Sequence, residues 1–174
     1  MRALRPALAS DYPAIAALHA ANWQQTYRGI LSDQYLDEDV EADRLAVWKQ
    51  RLEVPAPNQR LTVATQDGVI AGFCCIFLDD DPAHGSLIDN LHVAPGHRQT
   101  GVARHLVRNA ARQVQTEARH PGLYLWVFEL NHNAKTAYDH LDGTCVETVE
   151  KTNEDGTTAR ICRYAWPDAA ALLA

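Results

Sequence analysis

The sequence predicts a mixed α/β domain, with one β-α-β crossover in the middle of an otherwise hairpin-connected sheet. Three observations predict it. Apolar residues recur at helical spacing in the first third of the chain, and from Leu61 onward the pattern changes to β-rich runs punctuated by Asp-Gly turns. The stretch "NLHVAPGHRQTGVARHLV", Asn90 to Val107, begins as a strand, passes a turn holding two glycines and ends as an amphipathic helix. The implied order is β-α-α-β-β-β-α-β-α-β-β, seven strands and four helices, with no internal repeat or low-complexity segment.

Each element has its own signal. "RALRP" reads as a short strand, after which Ser10 is the expected N-cap of a helix from about Asp11 to Thr26, with Ile15, Leu18, His19 and Asn22 at helical spacing. Tyr27-Arg28-Gly29-Ile30-Leu31 breaks that helix. Ser32 opens a second helical region, interrupted near Asp39 and ended by Pro55 and Pro57. "LTVAT", the turn Gln66-Asp67-Gly68 and "VIAGFCCIFL" form a hairpin, and "SLIDNLHVA" is the next strand after the polar loop "DDDPAHG". A helix from about Thr100 to Ala118 puts Val102, Leu106, Val107, Ala110 and Val114 on one face, and His120-Pro121-Gly122 ends it. "LYLWVFEL" suits a central buried strand, "NHNAKTAYDHL" a short helix, and "TCVETVEKTNEDGTTARICRYAW" a hairpin closed at Glu154-Asp155-Gly156.

With 174 residues, 47% of them hydrophobic and 22% charged, the expectation is one domain spanning 1–174. A net charge of −6 leaves no basic footprint for nucleic acid, and it mildly favours cationic substrates by long-range attraction. No apolar run reaches the ~18 residues of a membrane span and the N-terminus has no signal-peptide pattern, so a cytoplasmic protein without a membrane partner is expected. Cys74, Cys75, Cys145 and Cys162 sit in apolar, strand-like segments and read as structural thiols. The eight histidines, His84, His92, His97, His132 and His140 among them, show no ligand spacing, so no metal is expected.

The glycine turn suggests phosphate chemistry. Backbone N–H groups at a helix start lack intrahelical partners and sit at the positive end of the helix dipole. Gly101 lets an anion approach the backbone, Ala103 keeps the first turn uncluttered, and Arg98 and Arg104 can add charge. Gly96 and Gly101 have P-loop spacing, but Val102-Ala103 stand where Lys-Ser/Thr is required, which excludes a typical NTPase. The dinucleotide fingerprint Gly-x-Gly-x-x-Gly is absent.

Arg98-Gln99-Thr100-Gly101-Val102-Ala103 resembles the Arg/Gln-x-x-Gly-x-Gly/Ala signature of the GNAT superfamily of acyl-CoA N-acyltransferases, in its usual place between a strand and a helix. "LWVFELNHNAKTAYDHLDG" is similar to that family's second pattern through Val127, Asn131, Ala134 and Tyr138, and the element order agrees over nearly the whole chain. Leu141-Asp142-Gly143 departs from the family's usual Leu-Gly-Phe.

The resemblance implies a mostly antiparallel mixed sheet, acetyl-CoA as co-substrate without a metal, and a pyrophosphate held by the amides of Gln99 to Ala103, with Arg98 and Arg104 alongside. It implies a pantetheine arm lying along Leu91, His92 and Val93, with a main-chain N–H near Val93 donating to the oxyanion. Asn131 would bond that arm or cap the last helix, Ala134 would lie beside it, and Tyr138 would protonate the departing thiolate. Reference pKa values of about 10 for tyrosine and about 8.5 for a thiol leave a gap that hydrogen bonding can cover. His92 and Glu129 are the base candidates on the flanking strands, His92 for its near-neutral reference pKa. Alternation puts Asp89 opposite His92 across the sheet, so only one of the two can face the substrate; Asp89 is a substrate-side candidate, as are Trp23 and Tyr27 from the N-terminal helices. The expected acceptor is a small-molecule amine, polyamine or amino-acid derivative. The alternatives are a protein N-terminus or lysine, or a non-catalytic acyl-CoA sensor, and a homodimer paired through sheet edges is possible.

Overall fold

The computed structural model describes residues 2 to 173, Arg2 by its backbone alone. The strands are β1 (Arg2–Pro6), β2 (Gln59–Gln66), β3 (Val69–Asp81), β4 (Gly85–Val93), β5 (Leu123–Phe128), β6 (Thr144–Thr152) and β7 (Thr158–Trp166). The α-helices are α1 (Tyr12–Thr26), α2 (Val40–Glu53), α3 (Val102–Glu117) and α4 (His132–Asp139). The order read from the sequence therefore holds throughout.

The strands make one sheet in the order β1-β2-β3-β4-β5-β7-β6. β1 with β2, β5 with β7 and β6 with β7 are antiparallel; β4 and β5, joined through α3, are parallel. A parallel pair needs such a crossover, and this is the single β-α-β unit that the sequence predicts. β3 is buried at every position from Ala71 to Ile76, as a strand covered on both faces must be, and Cys74 and Cys75 point into those two apolar layers. β6 ends the sheet. Its Glu147, Glu150 and Lys151 charge an exposed edge, which discourages pairing with other chains. Of the four cysteines read as structural thiols, Cys74, Cys75 and Cys162 are buried and Cys145 on β6 is exposed, because an edge strand has no layer to bury it.

Two local starts differ from the sequence reading. Ser10 does not cap α1; a 3-10 turn at Ala9–Asp11 precedes the helix, and the Asp11 carboxylate takes the Leu8 N–H at 2.7 Å and the Arg5 guanidinium at 2.7 and 3.0 Å. The guanidinium holds the Asp11 carboxyl below its usual range. The second helical region opens with a π-helical turn, Tyr35–Asp39, before α2, which is the interruption expected near Asp39.

The chain divides into two compact units, Met1–Cys75 with Asn90–Leu106, and Ile76–Asp89 with Val107–Ala174. In the first, Ala20, Leu31, Tyr35, Leu36 and Val40 form a buried cluster with Trp23 and Tyr27 packed against it. In the second, the cores of β5 and β7 are buried through Leu123, Tyr124, Leu125, Ile161, Cys162, Tyr164 and Trp166. No helix among the described residues is long and apolar enough to cross a membrane.

Candidate active site

The glycine turn of the first unit is built by two left-handed residues. A 3-10 turn at Pro95–His97 follows β4, and Gln99 (φ 60°) and Gly101 (φ 85°) then swing the chain into α3. Thr100 Oγ1 donates to the His97 carbonyl at 2.7 Å and closes the turn. α3 therefore begins at Val102, two residues later than its expected start near Thr100, because Gly101 lies outside helical space. Val102 is buried and anchors the helix end, while Gly101, Ala103 and Arg104 face outward around the first-turn amides.

Gly72 on β3 makes this placement possible. A Cβ there would stand 2.8 Å from the His92 carbonyl oxygen, 3.0 Å from Val102 Cγ1 and 3.3 Å from Leu106 Cδ1. Only a residue without a side chain lets the strand lie so close to the end of β4 and the first turn of α3.

Asn22, buried on α1, joins the turn to β4. Its Oδ1 accepts from Arg98 Nη2 at 2.8 Å, and its Nδ2 donates to the Val93 carbonyl at 3.1 Å and lies 3.4 Å from His92 Nδ1. Arg98 also reaches Gln25 Oε1 at 3.4 Å, so its guanidinium ties the turn to α1. Since arginine only donates, the Asn22 amide has one orientation, its nitrogen faces His92 Nδ1, and the proton of the neutral ring sits on Nε2.

Around His92 lies an aromatic box within the same unit. The rings of His19 and His92 are 4.3 Å apart, those of Phe73 and His92 5.3 Å, and His19 meets Trp23 edge-on at 4.8 Å. Trp48 Nε1 donates to His19 Nδ1 at 2.9 Å, so His19 also carries its proton on Nε2, which is buried and has no partner among the described residues. Burial, helped by Arg44 and Arg98, pushes the His92 pKa down to about 3; burial, the neighbouring His92, Arg44 and Arg51 hold His19 well below its usual value. The ordinary histidine pKa that recommended His92 as a base therefore does not apply. A neutral ring with Nε2–H is a hydrogen-bond donor, as a neutral histidine electrophile is.

Trp23 and Tyr27 sit on the outer side of this box, their rings 5.6 Å apart, and burial pushes the Tyr27 phenol up to about 12. Arg44 from α2 lies 4.5 Å over the Trp23 ring.

The second unit carries the other expected residues. Asn131 caps α4, its Oδ1 accepting from the Ala134 N–H at 3.2 Å. Tyr138, half-buried, packs against Tyr164 at 5.6 Å and edge-on against Trp166 at 6.2 Å. Asp142 adopts the left-handed conformation (φ 57°) after α4, where glycine is commonest, so the departure at Leu141-Asp142-Gly143 puts an aspartate in a backbone conformation that favours glycine. Glu129 is paired with Arg160 at 3.0 Å, and a role as base requires that pair to open. Asp89 is exposed on β4. β4 and β5 pair from Ser86↔Leu123 to Ile88↔Leu125, and β4 runs on through Leu91 and His92 to Val93. Among the described residues no cluster of three or more His, Cys, Asp or Glu is placed to hold a metal.

Sequence reasoning did not assign Asn22, His19, Arg44 or Gly72 to the site. The available signal was that His19 and Asn22 are polar residues three apart on the buried face of an otherwise apolar helix.

Comparison with known proteins identifies the fold and the family. The "Probable N-acetyltransferase Rv2775" of Mycobacterium tuberculosis is 28% identical over 150 residues, 80% of each chain. The GCN5-related N-acetyltransferase of Rhodopseudomonas palustris superposes with a TM-score of 0.73 at 20% identity, over 95% of this chain and 94% of that one. PaiA N-acetyltransferase of Thermoplasma acidophilum, solved in complex with coenzyme A, gives 0.71 at 13% identity over 95% and 99%. These structural likenesses carry the fold. The sequence profile of the acetyltransferase (GNAT) family matches residues 16–142, most of the chain and all of the turn, α3 and α4, and on that match the chain belongs to the GNAT family of acetyltransferases.

Proposed function

We propose that the protein uses acetyl-CoA to acetylate the primary amine of a small molecule, by direct transfer. The observation that carries the reading is the left-handed Gln99 and Gly101 turn opening α3, tied to α1 through Arg98 and Asn22. Its outward first-turn amides fit a pyrophosphate.

As substrate, acetyl-CoA supplies the thioester: the amine nitrogen bonds to the acetyl carbon, the C–S bond breaks, and sulfur leaves with the electron pair. The remaining roles fall to this chain. Arg98, Gln99, Thr100, Gly101, Val102, Ala103 and Arg104 hold the diphosphate, and the main chain of Leu91 to Val93 grips the extended arm as an added strand. Charge developing on the carbonyl oxygen is met by the Val93 N–H and by His92 Nε2–H. Tyr138 gives its phenolic proton to the thiolate, with Asn131 and Ala134 fixing the start of its helix. The amine's proton passes to solvent, with Glu129 as relay when its pair with Arg160 opens. Trp23 and Tyr27 wall the acceptor.

The test is acetyl-CoA-dependent thiol release across amines, polyamines, amino acids and peptides, with a calorimetric titration of coenzyme A. Release with small amines supports the reading, and release with peptides alone replaces the small-molecule acceptor. Binding without release makes the protein a sensor, and absence of binding overturns the reading of the turn.

A further inference from the structure

Arg44 is 7% exposed, yet only part of its guanidinium is satisfied. Nη2 donates to Asp43 at 2.9 Å, whereas Nε is buried without a hydrogen-bond partner among the described residues. Asp43 is a divided counter-ion, because the same Oδ2 also accepts from the Tyr35 hydroxyl. The guanidinium carbon lies 4.5 Å over Trp23, Trp23 abuts His19 edge-on, and His19 lies 4.3 Å from His92 with the rings tilted by 36°. The surroundings add positive charge. Arg51 lies 5.2 Å over Trp48, Arg98 sits beyond Asn22, and arginines alone account for the charge felt at His92. Both histidines are neutral, so Arg44 is the buried charge of this box, and its ion pair is with an Asp43 carboxylate that also serves Tyr35.

That charge discriminates among amines. A simple amine or polyamine arrives as a cation and is repelled by a buried guanidinium whose carboxylate partner is shared with Tyr35. A zwitterion brings its own anion, and a guanidinium meets a carboxylate through parallel N–H donors better than any other side chain does. The same field favours the uncharged form of a nearby amine, which is the nucleophile.

We propose that Arg44 binds a carboxylate carried by the acceptor, so that the acceptor is an amino acid or another carboxylate-bearing amine. This deepens the reading above and rests on it: Arg44 reads the acid while Trp23 packs against the acceptor's apolar part.

The experiment compares alanine, leucine, phenylalanine and glutamate with their primary amides and decarboxylated amines, using wild type, Arg44→Gln and Arg44→Lys. Expected are a preference for at least one acid over its amide, and in Arg44→Gln a KM for that acid raised by about 10- to 100-fold with the amide and coenzyme A affinity unchanged. Arg44→Lys, which keeps charge without the fork, recovers part of the preference. Amides or plain amines used as well as acids overturn the proposal, as does an Arg44→Gln effect equal on both. If no compound releases thiol, the acetyl-transfer reading fails by itself; calorimetry of the same acids and amides on the coenzyme A complex then decides. Acid binding lost in Arg44→Gln sustains the carboxylate site, and its absence in wild type overturns it. Should Arg44→Gln not fold, wild-type selectivity and Arg44→Lys carry the decision.

Discussion

The Asn22 amide nitrogen stands 3.4 Å from His92 Nδ1, and this contact fixes which ring nitrogen holds the proton. The amide cannot turn over, because its oxygen is taken by Arg98 and its nitrogen by the Val93 carbonyl. Asn22→Ala leaves three groups without their partner. The expected cost is about 1–3 kcal/mol of stability, with weaker coenzyme A binding as Arg98 loses its tether. Nitrogen NMR of His92 should change from the Nε2–H tautomer to a mixture. An unchanged spectrum and an unchanged coenzyme A affinity would show that Asn22 positions neither group.

Acid should destabilise the protein through its two neutral histidines. The His92 pKa lies near 3 when folded and near 6.5 when unfolded, so above 6.5 the ring is neutral in both states and stability does not depend on it. Between those values the unfolded chain binds the proton and the native one does not, and stability falls with pH by at most about 1.4 kcal/mol per unit for each such group. His19 shifts in the same direction. Urea midpoints should be level from pH 8 to about 6.5 and decline below it, and His92→Gln should flatten the decline. A midpoint that rises on acidification contradicts the buried neutral pair.

The strand and helix order was legible in the sequence because each element carries a local signal: Asp-Gly turns for the hairpins, prolines after α2, and an apolar stripe along α3. The glycine turn before α3 was legible too, since the left-handed backbone at Gly101 is a requirement of that residue alone. The rest depends on partners far away in the chain. Asn22 and Arg98, or Arg44 and Trp23, meet only after folding, and nothing in "ANWQQT" or "ADRLAV" states that an amide and a guanidinium will be buried. Ser10 lies inside the 3-10 turn that precedes α1, where Asp11 accepts the Leu8 N–H and is held by Arg5 from the strand before it, a partner that the local sequence at Ser10 does not reveal.

Tyr138 offers a separation of chemistry from binding. Its ring is held by Tyr164 and Trp166, contacts that phenylalanine keeps, while only the hydroxyl is lost. General acid catalysis contributes about 100- to 10,000-fold, so Tyr138→Phe should lower kcat by about 100-fold or more with coenzyme A affinity and melting temperature unchanged. A variant with full kcat would remove the phenol from the mechanism and leave solvent to protonate the thiolate.

Gly72 tests whether the turn works by its placement. A methyl group there meets the His92 carbonyl oxygen at 2.8 Å, and main chain cannot yield as a flexible side chain does. Gly72→Ala must therefore push β3 away from the end of β4 or displace Val102 and the first turn of α3. The first-turn amides proposed to hold the phosphate move with that turn, although Gly72 is not among the residues proposed to touch the ligand. The expected result is a coenzyme A affinity reduced by about 10-fold or more, alongside about 1–3 kcal/mol of overpacking strain. Gly72→Ser should be at least as severe. If coenzyme A binds normally to a Gly72→Ala protein that is merely less stable, the strain is absorbed in β3, and the turn is not held in place by this contact.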